Sequence, residues 1–258
     1  MNIYVLVKQV PDTTEMQVDK ETGTLIRDGV KTIINPDDLA AVEEALRIKE
    51  EHGATVTTIT MGPAKAETML RELYGYGVDH AVLLSDRKFA GSDTLATSTI
   101  IANYLKDKPY DLIIAGRQAI DGDTAQVGPQ IAELLDIEQV TYVKKIKSSS
   151  NEDITLEKET EHAIQTLVSP FPLLITMLSD EVKPRYMNVE HLVQGFKRDI
   201  QTVTFDDLNL DLSSIGLKGS PTKVKKTFTK KVTNKAEPKE YTKDQAVDAI
   251  IKALSPHL

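Results

Sequence analysis

The residues best suited to bind a phosphate follow a single apolar run. Residues 112–115 predict a buried strand that ends at Gly116, a polar loop comes next, and apolar residues at helical spacing begin at Val127. A strand, a glycine-containing loop and a helix start form the phosphate-facing half of many nucleotide sites. The first N–H groups of a helix lack intrahelical partners and carry partial positive charge. The alternative is a plain strand-to-helix connection with an aspartate or threonine as N-cap.

Two other segments offer polar groups of the same kind. Residues 35–38 (Asn-Pro-Asp-Asp) precede a predicted helix, and an aspartate there can accept hydrogen bonds from ribose hydroxyls or an adenine amino group. Simple capping of that helix is the alternative. Residues 91–98 begin another predicted helix and carry the hydroxyls of Thr94 and Thr97 on one face, where they can hydrogen-bond a flavin or a phosphate. On its own, this second pattern is a generic capping motif.

The composition of the chain excludes several classes of function. The 258 residues carry a net charge of −8, which argues against nonspecific nucleic-acid binding. No apolar run approaches the roughly 20 residues that span a bilayer, and the N-terminal residues alternate into a strand without a targeting segment. We therefore expect a cytoplasmic protein with no membrane insertion. Because there is no cysteine, any redox chemistry must come from a bound organic cofactor.

Common catalytic and metal-binding motifs are missing from the sequence. The five histidines are scattered without the spacing of metal ligands, and no serine lies in a Gly-x-Ser-x-Gly elbow. Neither GxGxxG nor GxxxxGK[ST] occurs, so a nucleotide would be held by another arrangement. We predict no catalytic side chain and no metal site.

The first half of the chain alternates strands with helices. Strands are predicted at 2–8, 54–61, 79–85 and 110–116, and helices at 39–51, 64–75, 93–106 and 124–135. This order is typical of right-handed βαβ crossovers, so we predict an α/β fold with a doubly wound, mainly parallel sheet. Pro129 lacks an N–H group, so the last of these helices should start late or kink there.

The second half of the chain has a different texture. Residues 140–170 predict a β-hairpin with its turn at 148–151, followed by a strand at 172–178, and we expect these strands to extend the sheet in antiparallel fashion. A polar, lysine-rich linker covers 218–240. A final helix begins at Thr242, which can form a capping box with Gln245. The predicted division is a nucleotide-binding domain at 1–217 and a linker and C-terminal arm at 218–258.

Five ordered blocks of sequence resemble one protein family. They are VLVKQVPD (5–12), GVKTIINPDDLAAVEEALRIKE (29–50), ITMGPAKAETMLRELYGYGVD (59–79), FAGSDTLATSTIIA (89–102) and GRQAIDGDTAQVGP (116–129), with PRY (184–186) after them. The chain resembles the β subunit of electron-transfer flavoproteins over about its first 200 residues.

The resemblance implies a cofactor site. It puts adenine and ribose against Leu6, the Asn-Pro segment and Met61, although packing in the core is an alternative role for Met61. The diphosphate would meet the loop 116–127, where Thr124 and Gln126 are the expected side-chain donors and Arg117 is either a further cation or simply solvated. The cofactor-binding residues implied in this way are Leu6, Asn35, Pro36, Asp37, Asp38, Met61, Thr94, Thr97, Gly116, Arg117, Gln118, Ala119, Ile120, Asp121, Gly122, Asp123, Thr124, Ala125, Gln126 and Val127.

The loop also bears on the subtype within the family. Single-flavin members bind a structural AMP in the β subunit and carry an acidic residue where this chain has Gly122. Loss of that carboxylate removes charge and volume near a diphosphate, as in the bifurcating members that bind FAD there. The resemblance thus favours FAD that accepts hydride from NADH, with AMP as the alternative. A nucleotide-sensing protein of the universal-stress type is an alternative from another class.

The resemblance also implies partners for this chain. The C-terminal arm would reach across an electron-transfer flavoprotein α subunit, whose own FAD would pass one electron to an acyl-CoA dehydrogenase. The other electron would reduce ferredoxin or flavodoxin. The segment after PRY would contact the dehydrogenase through Val189, Leu192 and Val193. Coverage of the sheet by the apolar residues of this segment is the alternative.

Overall fold

The computed structural model describes residues 1–12, 17–18, 25–26, 31–223 and 239–255. Strands β1 to β13 are Asn2–Leu6, Gln9–Pro11, Gln17–Val18, Leu25–Ile26, Thr32–Ile34, Thr55–Met61, His80–Leu84, Leu112–Gly116, Glu138–Ser149, Asp153–Glu159, Ile164–Pro170, Leu173–Met177 and Gln201–Val203. Helices α1 to α7 are Pro36–His52, Glu67–Tyr76, Thr94–Leu105, Val127–Leu135, Val189–Gly195, Gly216–Gly219 and Lys243–Leu254. Single 3-10 turns occur at Ala64–Ala66, Arg87–Phe89, Phe205–Asp207 and Leu212–Ser214.

Nine strands form one twisted sheet in the order β11-β10-β9-β12-β8-β1-β6-β7-β13. The neighbours from β9 to β13 in this order are all parallel, while β10 is antiparallel to both β9 and β11. The predicted α/β fold, with a mainly parallel sheet and added antiparallel strands, is therefore confirmed.

Helices cover both faces of the sheet. Along β8, Leu112 and Ile114 belong to one buried cluster with α1 and α2, whereas Ile113 and Ala115 belong to a second cluster with α3 and α4. Successive strand residues point to opposite faces, so a strand that is buried on both sides must be apolar throughout. This is why residues 112–115 form an unbroken apolar run.

One expectation about the second half of the chain is wrong. Strand β12 lies between β8 and β9 and pairs parallel to both of them, instead of extending the edge as an antiparallel strand. All five of its residues are buried, which suits an interior position in a parallel sheet. The hairpin of β9 and β10 is confirmed and continues into a third antiparallel strand, β11. Strand β13 was not predicted, and it pairs with β7 at the opposite edge.

Helix α4 begins at Val127, three residues later than the pattern predicted. Pro129 therefore falls in the first helical turn, where the backbone N–H groups lack intrahelical partners and a proline removes no hydrogen bond. Of the two outcomes expected at this proline, the structure shows the late start. The helix consequently presents its first N–H groups at the end of the polar loop.

The C-terminal helix α7 forms with the predicted capping box, in which the Thr242 N–H donates to Gln245 Oε1 at 3.2 Å. Its apolar stripe is more than half exposed at each position, namely Val247, Ile250, Ile251 and Leu254. Most of the predicted linker lies outside the described residues. Among the helices in the described parts of the chain, none has both the length and the apolar character that crossing a membrane requires.

Candidate functional site

A cavity of about 390 Å³ opens at the carboxyl ends of three neighbouring parallel strands, β1, β6 and β8. The first turns of α1, α3 and α4 contribute residues to its wall, so the positive ends of three helix dipoles lie near it. Ligands bind at this edge in doubly wound sheets. The residues that line the cavity are Leu6, Val7, Lys8, Asp38, Ile59, Met61, Ser92, Asp93, Thr94, Thr97, Ile101, Ala115, Gly116, Arg117, Gln118, Ala119, Gly122, Thr124, Ala125, Gln126, Val127 and Gly128.

Fourteen of the twenty predicted cofactor-binding residues line this cavity; their role toward a cofactor stays a prediction. They come from five separate stretches of sequence, which the fold brings together at the strand ends. Six of the predicted residues lie outside the lining, namely Asn35, Pro36, Asp37, Ile120, Asp121 and Asp123. Eight lining residues were not predicted, and each lies within four positions of a predicted one, namely Val7, Lys8, Ile59, Ser92, Asp93, Ile101, Ala115 and Gly128.

Asn35 holds the cavity loop, residues 116–127, instead of facing the cavity. Its side chain is fully buried, and its amide nitrogen donates to the Gln118 carbonyl at 2.8 Å and to Asp38 Oδ1 at 3.0 Å. Its amide oxygen accepts from the Ile120 N–H at 3.1 Å. An amide that supplies both donors and acceptors can fix two turns of a loop at once. Asn35 therefore positions the loop.

Asp38 joins the ends of two strands to the start of α1. Its carboxylate accepts hydrogen bonds from the N–H groups of Lys8 (2.8 Å) and Gly116 (3.1 Å) as well as from Asn35. Burial raises the pKa of Asp38 to about 7, even though these three donors favour the ionised form. Its neighbour Asp37 accepts from the Ser179 N–H at 3.1 Å and so ties the end of β12 to the same corner.

Gly116 is required at the base of the loop. A Cβ there would collide with Asp38 Oδ1 and would lie 2.8 Å from both Asp37 Cβ and the Asp38 nitrogen. Farther along the loop, Asp123 and Ala125 adopt φ values of 48° and 53° in the left-handed region. Such reversals turn successive backbone N–H groups inward and are common around bound anions.

The start of α3 and the end of the cavity loop are joined by a direct contact. Thr94 Oγ1 donates to Gln126 Oε1 at 2.8 Å. Gln126 is the N-cap of α4 and makes no side-chain capping hydrogen bond to the described residues, so the N–H groups of Val127 and Gly128 are not capped by it. Gly128 also has no room for a side chain, because a Cβ would lie 2.8 Å from Thr176 Cγ2.

Comparisons with known proteins identify the family of this site. The family profile of the electron transfer flavoprotein domain matches residues 22–208. A Clostridium acetobutylicum protein described as electron transfer flavoprotein subunit beta is 51% identical over 237 residues, covering 92% of this chain and 91% of that protein. The chain belongs to the electron transfer flavoprotein β-subunit family.

Two further relatives carry more specific descriptions. The acryloyl-CoA reductase electron transfer subunit gamma of Anaerotignum propionicum is 48% identical over 238 residues, covering 89% of this chain and 88% of that protein. Subunit CarD of the caffeyl-CoA reductase-Etf complex of Acetobacterium woodii is 46% identical over 231 residues, with the same coverage of both chains. Membership of the electron transfer flavoprotein family replaces the alternative of a universal-stress protein.

The lining of the cavity carries two acidic side chains, Asp38 and Asp93, whose oxygens accept hydrogen bonds within the chain, and two cations that an anionic nucleotide would meet. Of the described lining residues, Lys8 and Arg117 are cationic. Arg117 Nε is buried, lies 3.5 Å from Asp37 Oδ2, and has no hydrogen-bond partner among the described residues. Lys8 Nζ lies 2.7 Å from Asp121 Oδ1 at the rim. With uncapped N–H groups at α4 and apolar walls from Leu6, Ile59 and Met61, the residues fit a phosphate-bearing ligand with an aromatic base.

The segment predicted to contact a dehydrogenase forms helix α5 on the outer side of α2. Leu192 packs against Gly75, where an added Cβ would lie 3.3 Å from it, and the Asn188 side chain caps the helix. Val189 and Val193 are 74% and 55% exposed. Tyr186, Met187 and Phe196 extend this exposed apolar surface. Leu192 therefore holds the segment in place, while the two valines face outward.

Arg185 of the PRY segment anchors this surface to the domain. Its guanidinium donates to both carboxylate oxygens of Glu43, at 2.9 and 3.1 Å, and also pairs with Glu50. Glu43 is buried on α1, so the pair is shielded from solvent on one side. The pKa of Arg185 is raised by these two carboxylates. The position of the exposed segment is thereby fixed relative to α1, whose first turn carries Asp38.

Proposed function

We propose that this chain is the β subunit of a heterodimeric electron-transfer flavoprotein that binds FAD in the cavity and oxidises NADH for electron bifurcation. One electron would pass through FAD of the α subunit to an acyl-CoA dehydrogenase, and the other would reduce ferredoxin or flavodoxin. The observation that carries the proposal is the cavity itself, where three helix starts and three strand ends meet beside the glycine-containing loop 116–127. FAD bound there would supply two-electron oxidation of NADH and one-electron transfer onward.

The chain's own residues would bind and orient this cofactor. Leu6 and Met61 offer apolar faces for adenine, and the N–H groups of Val127 and Gly128 offer donors for a phosphate at the start of α4. Thr94, bonded to Gln126, holds the loop against α3. Asn35 and Asp38 fix the loop from below. Acid–base side chains are not needed for electron transfer to a flavin, which agrees with a site rich in positioning contacts.

A structural AMP in the cavity is the second candidate. A volume of about 390 Å³ is near the lower end of the range for small-molecule sites, so it suits a mononucleotide, and a dinucleotide would extend past its mouth. In support of FAD, the relatives named as parts of CoA-reductase complexes are nearly half identical to this chain. Gly122, which has no side chain, also places no carboxylate at the open mouth of the cavity.

Release of the bound nucleotides distinguishes the two candidates. We would purify the heterodimer, denature it in acid and separate the released nucleotides by chromatography. Two FAD per heterodimer are expected if the cavity holds a flavin, and one FAD with one AMP would establish the structural role instead. With FAD in the cavity, NADH should also bleach the flavin absorbance without any added dehydrogenase. Flavin reduction that depends on the dehydrogenase alone would contradict the bifurcating assignment.

The exposed surfaces are the proposed contacts with partners. The apolar stripe of α7 would dock on the α subunit, and Val189 and Val193 would contact the acyl-CoA dehydrogenase. An apolar surface of this kind is costly to leave in water and marks an interaction site. Association of the full chain with the α subunit, compared with that of a chain ending at residue 235, tests the first contact. Equal affinity of the two chains would contradict it.

A further inference from the structure

Lys8 has a fixed backbone and a movable charge. Its N–H donates to Asp38 Oδ2 at 2.8 Å, and its carbonyl accepts from the Asn35 N–H at 2.9 Å. The residue lines the cavity two positions after the end of strand β1, and half of its side chain is exposed. Because the four-carbon side chain of lysine rotates about several bonds, its ammonium group can move while the backbone stays in place.

The charge of Lys8 is held by a weak counter-ion. Its Nζ lies 2.7 Å from Oδ1 of Asp121, whose side chain is 32% exposed at the tip of the cavity loop. Asp121 does not line the cavity, but Ala119 and Gly122 on either side of it do. An exposed pair of this kind stabilises the chain little, so a stronger anion in the cavity can displace the carboxylate.

The two acidic side chains of the lining are hydrogen-bonded within the chain, and the cation Arg117 lies beside a buried carboxylate. The oxygens of Asp38 accept three hydrogen bonds, and those of Asp93 accept from Ala96 and Thr222. The guanidinium of Arg117 is drawn toward Asp37, which lies outside the lining. Lys8 is therefore the lining cation, among the described residues, whose charge is shared only with an exposed carboxylate.

We propose that Lys8 determines the specificity of the cavity for phosphate-bearing nucleotides, by exchanging Asp121 for a phosphate when the nucleotide binds. This inference rests on the proposed function, since it requires that the cavity binds a nucleotide. The exchange preserves the number of ion pairs, but the new pair includes an anion of higher charge. Asp121 then competes with the phosphate for Lys8. It lowers the affinity for phosphate and keeps the lysine paired when no phosphate is bound.

The test measures binding of AMP and of adenosine to the full-length chain, freed of nucleotide, by isothermal titration calorimetry. Lys8→Met should weaken AMP binding about tenfold and leave adenosine binding unchanged, because only AMP has a phosphate. Asp121→Asn should strengthen AMP binding a few-fold, an effect that damage to the fold cannot imitate. With Lys8→Met already present, Asp121→Asn should strengthen AMP binding by less than it does alone, because only the removal of one negative charge remains. Lys8→Arg should retain most of the affinity.

Lys147→Met is the matched control. Lys147 is 47% exposed and pairs with Glu157 at 2.9 Å in the hairpin of β9 and β10, away from the cavity lining. It should leave both affinities unchanged. Equal losses of AMP and adenosine binding in Lys8→Met, or no loss of either, would overturn the role of Lys8 while the nucleotide site stands. If the unaltered chain and the heterodimer bind neither AMP nor FAD, the proposed function fails and this inference fails with it.

Discussion

The base and the tip of the cavity loop are built in opposite ways. At the base, Gly116 is enclosed by the first turn of α1 and hydrogen-bonded to Asp38, and no side chain fits there. At the tip, Gly122 is exposed, and an added Cβ would meet no atom of the described chain within 4 Å. Glycine is therefore required by packing at the base but not at the tip.

This comparison changes the interpretation of Gly122. The sequence suggested that glycine there saves both charge and volume for a longer ligand. The open space around the tip shows that volume in the chain itself is not limiting, so the charge of an acidic residue is the remaining argument. The base fixes where the loop lies, and the tip sets the electrostatic potential that an incoming anion meets.

The largest effect should come from the titration of Asp38, at the base of the cavity loop. Between the ordinary pKa of an aspartate and the raised pKa of Asp38, about 7, the folded chain holds a proton that the unfolded chain has lost. The free energy of unfolding should therefore fall as pH rises from about 3 to about 8, by about 4 kcal/mol for this group. Urea denaturation at several pH values measures it. In Asp38→Asn this component should be missing, and parallel pH curves for the two proteins would contradict the assignment.

A matched pair of glycine substitutions tests the contrast directly. Gly116→Ala should lower the free energy of unfolding by about 3 kcal/mol, because the methyl group must displace Asp38 or the start of α1. Gly122→Ala should change it by less than about 1 kcal/mol, since the methyl group points into open space. Both substitutions restrict the unfolded chain alike, so the difference reports the folded state. Similar losses in the two variants, measured by urea denaturation, would remove the distinction between base and tip.

The resemblance to the family named most of the cavity residues, and the strand ends explain why they meet. Once four strands are assigned to a parallel sheet, their carboxyl ends meet at one edge, and Leu6, Met61 and Gly116 must lie close together. Lys8 could have been found by the same reasoning, since it comes two residues after Leu6. The missed residues are thus mostly neighbours of predicted ones.

Other features depend on partners that are distant in sequence. Asn35 looked like a ligand of ribose, but its amide is used by Gln118 and Ile120, more than 80 residues away. A polar residue next to a site gives the same signal whether it faces the ligand or the protein. The parallel insertion of β12 between β8 and β9 likewise depends on pairing that its apolar sequence does not specify. The apolar pattern indicates that a strand is buried, but the strands with which it pairs are determined by the rest of the fold.

The third prediction concerns the contact between the start of α3 and Thr222, at the beginning of the linker. Asp93 caps α3 through Ala96, and its other carboxylate oxygen accepts from both the N–H and the hydroxyl of Thr222, at 2.9 and 2.7 Å. Thr222→Val removes the hydroxyl bond and should lower the free energy of unfolding by about 1 kcal/mol.

Association with the α subunit should also weaken a few-fold, because this bond fixes the beginning of the linker that leads to the C-terminal helix. Surface plasmon resonance with immobilised α subunit measures the affinity, and urea denaturation measures the stability. Thr99→Val is the control, since among the described residues the hydroxyl of Thr99 bonds only within its own helix, to the Leu95 carbonyl at 2.8 Å. If the control and Thr222→Val weaken association equally, the contact with Asp93 has no part in positioning the arm.

The smallest effect is expected at the tip. Gly122→Asp places a carboxylate at the mouth of the cavity without a clash, so the fold should be unchanged and FAD affinity should fall only a few-fold, by less than about 1 kcal/mol. Salt should shrink the loss, because exposed charges are screened. Gly122→Asn has the same size without the charge and should bind FAD like the unaltered chain. Fluorescence titration of FAD at low and high ionic strength measures all three proteins. Equal losses for Asp and Asn, insensitive to salt, would mean that the tip acts through volume after all, and the contrast with the base would be one of degree.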